Sequence, residues 1–332
     1  MPIPSARAEA GMSAETRTDA HPAANVKAKR STRRPVPKRT LVSLYVLLAP
    51  TLILLFIFNY VPMYGILIAF QDFSVYRGAL HSPWAGFKHF GYFLTDDTFW
   101  HVMRNTFLLN LYDLLFGFTA PVLFALLANE IRRPGFKRTM QTISYLPHFL
   151  SWIVVSGIIY RLLSPENGLV NGILESVFGM GPIDFMTSEA YFRTIAVAAD
   201  IWKSVGWSAI LYFATIAGID STLYEAAMID GANRFRQTIH VTLPALVPLL
   251  VLLLLLRLSS MFGIDFERVF LLQNPLVYDV SDVISTYVYR MGLEKAQYSL
   301  TTAIGLLQGL LGFGLLLGAN RLAKRWAGMG LY

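Results

Sequence analysis

Residues 219–246 read IDSTLYEAAMIDGANRFRQTIHVTLPAL. Thr222 stands three residues before Glu225, the spacing of a capping box in which each side chain satisfies a backbone donor of the other. A short helix is expected through Ala226, Ala227 and Ile229, and Gly231 can take the left-handed conformation that ends a helix. A second amphipathic segment sets Phe235 and Ile239 on one face, with Arg234, Arg236 and Gln237 elsewhere. Pro244 then opens another helix, where its missing donor costs little. Long apolar runs lie on both sides, 191–217 before and 244–262 after. The stretch therefore predicts a polar helix–turn–helix between two membrane spans, with small alanines that let another protein approach closely.

The rest of the chain fits that setting. Of 332 residues, 55% are hydrophobic and only 15% charged, against about a quarter charged in ordinary soluble domains. A hydrocarbon core about 30 Å thick needs roughly 20 apolar helical residues. The stretches 41–61, 102–128, 139–163, 191–217, 244–262 and 301–320 meet that length. The expectation is an all-α, polytopic bundle of six transmembrane helices over residues 40–325. Residues 1–39, rich in Ala, Ser, Thr, Pro and basic side chains, read as a disordered cytoplasmic tail. Residues 326–332 read as a cytoplasmic C-terminal end.

Orientation follows from basic residues in short loops. Arg33, Arg34, Lys38 and Arg39 precede the first span, Arg132, Arg133, Lys137 and Arg138 lie between the second and third, and Arg321, Lys324 and Arg325 end the sixth. Six crossings put all three clusters on one side, so both termini and the 219–246 loop are expected in the cytoplasm. The net charge of +7 thus belongs to membrane anchoring and not to nucleic acid. Gly305, Gly309, Gly314 and Gly318 give the sixth span small residues at four-residue spacing, a surface for close helix packing.

The loop also resembles a known family. Glu225-Ala226-Ala227, then Gly231, then Val241-Thr242-Leu243-Pro244 is similar to the EAA loop of permeases in ATP-binding-cassette (ABC) importers, and Asp230-Gly231-Ala232 to the variant in carbohydrate-uptake members. Two positions depart from the pattern: Val241 stands where Ile is usual, and Thr238 where an aromatic is common. Asn59-Tyr60-Val61-Pro62-Met63-Tyr64-Gly65, Ser82-Pro83-Trp84, Arg104-Asn105-Thr106, Ser144-Tyr145-Leu146-Pro147-His148, Ile201-Trp202-Lys203 and Tyr287-Val288-Tyr289-Arg290 resemble the branch handling oligosaccharides or polysaccharide fragments. That branch is similar to the first maltose permease subunit and includes alginate importers. The resemblance implies a bacterial inner-membrane complex of this chain, a second permease, two ATP-binding subunits and a periplasmic solute-binding protein. It implies that Glu225, Ala226, Ala227, Asp230, Gly231, Ala232, Phe235, Leu243 and Pro244 couple the chain to the ATPases. ATP and magnesium would then sit on the partners, and no cofactor on this chain.

Ionisable residues inside spans are costly and so are functional candidates. They are Asp113, Asp200, Lys203 and Arg257, and either an internal ion-pair network or a substrate pathway explains them. In the pathway reading, Lys203 and Arg257 attract an acidic sugar, with Asp113 nearby and Trp202, Trp152 and Tyr212 offering rings for sugar C–H faces. The chain has no cysteine, no phosphate-cradling Gly-x-x-x-x-Gly-Lys loop, and no spacing of His101, His148 and His240 suited to a metal. Catalysis is not expected. A gradient-driven carrier with Asp113 or Asp200 as coupling carboxylate is the alternative transport reading.

Overall fold

The computed structural model describes residues 38–263 and 265–327. Most of the basic tail, and the chain end beyond Ala327, lie outside the described residues. The chain divides into two units, one ending at Phe58 and the other beginning at Asn59. In the first, α1 (Lys38–Leu55) is helical, and from Leu44 to Leu55 its large apolar side chains are exposed. That is the exposure expected of a surface solvated by lipid.

The second unit is helical throughout, with no strand among the described residues beyond an isolated bridge between Gln71 and Trp84. Its main elements are α2 (Asp97–Tyr112), α3 (Thr119–Asn129), α4 (Pro134–Tyr145), α5 (Trp152–Leu163), α6 (Glu189–Ala217), α7 (Ser221–Ile229), α8 (Arg234–Gln237), α9 (Leu243–Ser259), α10 (Phe266–Leu272), α11 (Ile284–Tyr289) and α12 (Tyr298–Ala327). Local chemistry sets several starts. The Asp96 carboxylate caps α2 by accepting from the Thr98 backbone N–H at 2.9 Å, and Pro134 occupies the first turn of α4.

Four helical runs are long and apolar enough to cross a membrane: Ser43–Phe70, Asp97–Asn129, Arg234–Ser259 and Tyr298–Arg325. The third expected span is not one straight helix. Pro134–Phe149 and Trp152–Leu163 meet at 104°. Pro147 falls in a tight turn over Leu146–Phe149, Leu150 is extended, and Ser151 starts a new helix by capping Val154. The fourth expected span is a helix of 29 residues, but Glu189, Arg193, Asp200 and Lys203 interrupt its apolar character. The six-span expectation thus meets four apolar crossings, a fifth if the bent pair crosses, and one long charged helix.

Four buried clusters hold this unit together, the smallest of them Trp152, Val155 and Ala199. Val122 and Ala125 of α3 pack with Ala209, Tyr212 and Ile216 of α6 and Leu246 of α9. Leu109, Phe192, Ala196 and Val197 join Val269, Leu272, Val277 and Val283. Phe99 and Val102 join Ile284 and Tyr287 and, from α12, Leu300, Ala303 and Ile304. Such contacts act by dispersion and close fit, since lipid already satisfies exposed apolar groups. Helices approach closely at Gly206, where an added Cβ would lie 2.2 Å from the Ser144 carbonyl oxygen, and at Gly312, 2.5 Å from that of Ser259. Around Gly305, Gly309, Gly314 and Gly318 nothing described comes within 4 Å of such a Cβ. Within this chain, the close approach in α12 is therefore made by Gly312.

At the end of α6 remote from the 219–246 loop, the Arg104-Asn105-Thr106 motif ties loops to helices. Arg193 donates to Asn105 Oδ1 at 2.9 Å, and Asn105 Nδ2 donates to the carbonyls of Asp279 at 2.9 Å and Asp282 at 3.2 Å. Thr106 Oγ1 accepts from the Ile284 N–H at 2.9 Å.

Candidate functional site

The 219–246 loop is an elbow. Asp220 is extended, and its carboxylate accepts from the Thr222 N–H at 2.9 Å, so it caps α7 in place of the expected Thr222–Glu225 box. This hydrogen bond from the Thr222 backbone holds the Asp220 carboxyl below the usual carboxylate range. After Ile229 the chain turns through Gly231 at φ +76°, the left-handed conformation expected there. Ala232 N–H returns to the Ala227 carbonyl at 2.8 Å, and Asn233 caps α8. The elbow's second half does not stop before Pro244. Through a wide turn over Thr238–Thr242 it runs on into α9, so Arg234–Ser259 is one helical run with Pro244 inside it. Leu243 begins α9 itself.

The elbow presents apolar side chains outward: Ile229 is 87% and Phe235 72% exposed. Glu225, Ala226 and Asp230 are also exposed, and Ala227 and Ala232 are half-buried. Its inner side is tied to the end of α3, where Glu130 accepts from Thr238 Oγ1 at 3.2 Å and pairs with Arg234 at 3.4 Å. Thr238, one of the two departures from the family pattern, thus has a polar partner that a phenyl ring would lack. Tyr224 and Thr242 share a hydrogen bond of 2.9 Å that closes the elbow across its base.

A buried ion network lies deeper in the bundle. Asp113, 1% exposed, sits where the helix widens between α2 and α3. Arg268 holds it with two nitrogens, Nη1 to Oδ1 at 3.0 Å and Nη2 to Oδ2 at 2.6 Å. Arg257 approaches Asp113 at 3.5 Å, and Arg268 reaches Asp200 at 3.6 Å. Two carboxylates and two guanidinium groups offset one another, as low-dielectric burial demands. Arg268 was not among the sequence candidates, because it lies beyond the fifth apolar stretch. A turn after Ser259 brings α10 back into the bundle. The available signal was Asp265 and Arg268 three apart in a short run otherwise bearing Phe266, Glu267, Val269 and Phe270.

Beside the network is a cavity of about 690 Å³ walled by three elements. From α6 it takes Asp200, Ser204, Trp207, Ser208 and Tyr212; from α9, Leu253, Leu256 and Arg257; from the turn into α3, Gly117, Phe118 and Pro121. Asp200, Ser204 and Ser208 repeat every four residues and form a polar stripe rising about 6 Å per step. Of the sequence-expected pathway residues, Arg257 and Tyr212 line this cavity. Asp113 is buried against Arg268 and does not line it. Lys203 is buried, donating to the His148 carbonyl at 2.8 Å, and Trp152 is buried with its indole N–H on Asp265 at 2.6 Å. Trp202 lies on a different, apolar groove with Phe136, Ile143 and Leu146.

A membrane bundle with an elbow and a charged inner cavity has clear relatives. The model of the family described as binding-protein-dependent transport system inner membrane component matches residues 117–328. The chain belongs to this family. It is 43% identical over 289 residues to the protein LplB of Bacillus subtilis (strain 168), covering 87% of this chain and 91% of that protein. It is 42% identical to the polygalacturonan/rhamnogalacturonan transport system permease protein YteP of the same organism, covering 87% and 90%. A crystal structure of a bacterial ABC transporter involved in the import of the acidic polysaccharide alginate contains a chain similar to this one. Its TM-score is 0.80 at 39% identity, covering 87% of this permease and 97% of that chain. A second, of an alginate ABC transporter in complex with an alginate pentasaccharide-bound periplasmic protein, gives 0.81 at 38%, covering 89% and 98%. The permease is therefore a helical, non-enzymatic membrane component of an ABC sugar importer.

Proposed function

We propose that this permease is one of two membrane subunits of an inner-membrane importer that carries acidic oligosaccharides from a periplasmic binding protein to the cytoplasm. Two ATP-binding subunits supply the energy, with ATP and magnesium bound on them. Residues 40–325 form the permease body, 219–246 the coupling loop, and both termini face the cytoplasm. Closure of the ATPases on ATP draws the elbow inward through Glu225, Ala226, Ala227, Asp230, Ala232 and Phe235. The continuous helix from Arg234 through Leu243 and Pro244 carries that displacement to Arg257. The bundle rocks between inward- and outward-open states, and its net direction follows from hydrolysis in the partners. The relatives' substrates support the sugar class. Arg257, facing the cavity with 42% of its side chain exposed, supports the acidic part.

The observation that carries the coupling is the bend at Gly231 together with the unbroken run of α8 into α9. A hinge at one glycine, with exposed apolar side chains on either side, joins a docking face to a rigid lever. Gly231→Pro is the test, because proline fixes φ near −65° where the chain needs +76°. In proteoliposomes holding the whole complex, the variant is expected to insert, assemble and hydrolyse ATP while import falls at least tenfold. Import at the wild-type rate refutes the coupling role. Wild-type import that persists with the ATPases inactivated and collapses with an ionophore refutes the ATP-driven reading and restores the carrier.

A further inference from the structure

We propose that a second groove, between α6 and the turn from α2 into α3 on the side away from the elbow, holds a membrane phospholipid. Its phosphate lies on Arg193 and its headgroup ammonium on Glu189. The occupant is a glycerophospholipid with a primary amine, of the phosphatidylethanolamine kind.

The groove encloses about 900 Å³ and has a polar end and an apolar end. Ser188, Glu189, Arg193 and Thr194 form the first. Depth places that end among phospholipid headgroups. Arg193 stands 24 residues before the end of α6 at Ala217, and Asn105, to which it donates, stands 24 before Asn129 at the end of α3. Both helices stop there at the elbow side, where the charged Asp220 and Glu130 follow. At 1.5 Å per residue, Arg193 and Asn105 lie about 36 Å from that side, beyond a hydrocarbon core about 30 Å thick.

Arg193 is short of acceptors. A guanidinium carries five N–H donors, and the bond Arg193 makes is Nη2 to Asn105 Oδ1 at 2.9 Å. Its Nε is buried with no partner. No ion pair among the described residues contains Arg193 or Glu189. Arg104 adds a second positive charge near Arg193, and Glu189 acts on it from the other sign. The groove thus offers a cation and an anion that are close but not bonded to each other. A phosphate ester carrying an ammonium a few bonds away matches both, through charge-assisted hydrogen bonds.

The other end fits an acyl chain. Phe116, Val197, Ala198, Ile201 and Val280 wall it, and Ile201 lies about 12 Å deeper than Arg193 along α6. Phe116 is 57% exposed, and Ala198 is exposed as well. A sugar in this half would leave its hydroxyls without partners, which burial penalises. An acyl chain has none to satisfy.

The experiment uses the assembled transporter in liposomes that contain phosphatidylethanolamine or phosphatidylglycerol bearing a photoreactive group on the acyl chain. In the wild-type complex, the phosphatidylethanolamine probe should label peptides covering 112–116 and 190–201. Glu189→Gln should lower that labelling about tenfold, the loss of one charge-assisted contact, and leave labelling by phosphatidylglycerol, which has no ammonium, unchanged. Ala198→Trp, which fills the apolar half from an exposed position, should lower labelling by both probes. Absence of label from these peptides in the wild type overturns the proposal, because another chain then covers the groove; this arm needs no variant to fold. Phosphatidylethanolamine labelling that both variants leave at the wild-type level also overturns it. So does labelling that an alginate oligosaccharide displaces, since the groove would then belong to the sugar.

Discussion

Asp113 and Arg257 look alike in the sequence, each an ionisable residue in an apolar run, yet they do different work. Asp113 is sealed and doubly bonded by Arg268, so removing one partner strands a buried charge, at a cost of about 3–5 kcal/mol. Arg268→Leu should therefore lose most of its folded yield and melt earlier in detergent. The double variant Asp113→Asn, Arg268→Gln should recover much of the loss, since the sealed pair is neutralised together and the charges left, Asp200 and Arg257, both face the cavity. Arg257 pairs at 3.5 Å and stays 42% exposed, and without it Arg268 still holds Asp113 with two nitrogens. Arg257→Gln is expected to leave melting and assembly nearly unchanged and to reduce import of acidic sugars relative to neutral ones; equal uptake of both by the variant would remove Arg257 from substrate recognition. Which charges sit inside the bundle was legible from spacing in the apolar runs. Which pair buries and which faces the cavity was not, because the deciding partner, Arg268, returns on a short helix that hydropathy does not mark.

Elements were read best where one residue dictates backbone geometry. Gly231 announces the elbow, and its positive φ is what that reading required. The cap was read two residues too late, since the Asp220 carboxylate takes the Thr222 N–H that the expected box gives to the Glu225 side chain. With its folded pKa held below the unfolded value, Asp220 stabilises the elbow above its unfolded pKa, and that contribution is lost as pH falls through the folded pKa. Hydrogen exchange at Thr222 should accordingly stay constant from neutral pH down to the ordinary aspartate range, after correction for intrinsic rates, and rise only in stronger acid. The bend between α4 and α5 was missed because Pro147 and Ser151 lie within a stretch whose mean composition is still that of a span. Gly206 makes the bend possible by letting α4 lie on α6. Gly206→Ala drives a Cβ to 2.2 Å from a backbone oxygen that cannot move alone, an overpacking that costs typically 1–3 kcal/mol. Gly305→Ala meets nothing described within 4 Å. Thermal melting of the isolated permease should fall for the first variant and hold for the second; equal melting would show that α4 yields freely.

For the whole molecule, the crossing number is set by charge as much as by apolar length. Glu189–Ala217 is long enough to span, yet Asp200 and Lys203 lower its apolar character, and only partners found inside the bundle make those charges tolerable there. The total of six expected from composition therefore turns on the bent pair. The absence of cysteine from the chain makes that testable one site at a time. If Pro134–Leu163 crosses as a bent span, then Phe136 and Leu169, both exposed, lie on opposite sides. Tyr76 and Ala227 are then separated by three crossings, Asp97–Asn129, the bent pair and Glu189–Ala217, and must also differ in side. A membrane-impermeant maleimide should modify Tyr76→Cys and Leu169→Cys in intact spheroplasts, and reach Phe136→Cys and Ala227→Cys only in inverted vesicles. If the pair is re-entrant, only two crossings separate Tyr76 from Ala227, and the two react from the same side. That result would move the elbow away from the cytoplasmic ATPases and with it the path by which hydrolysis reaches the sugar.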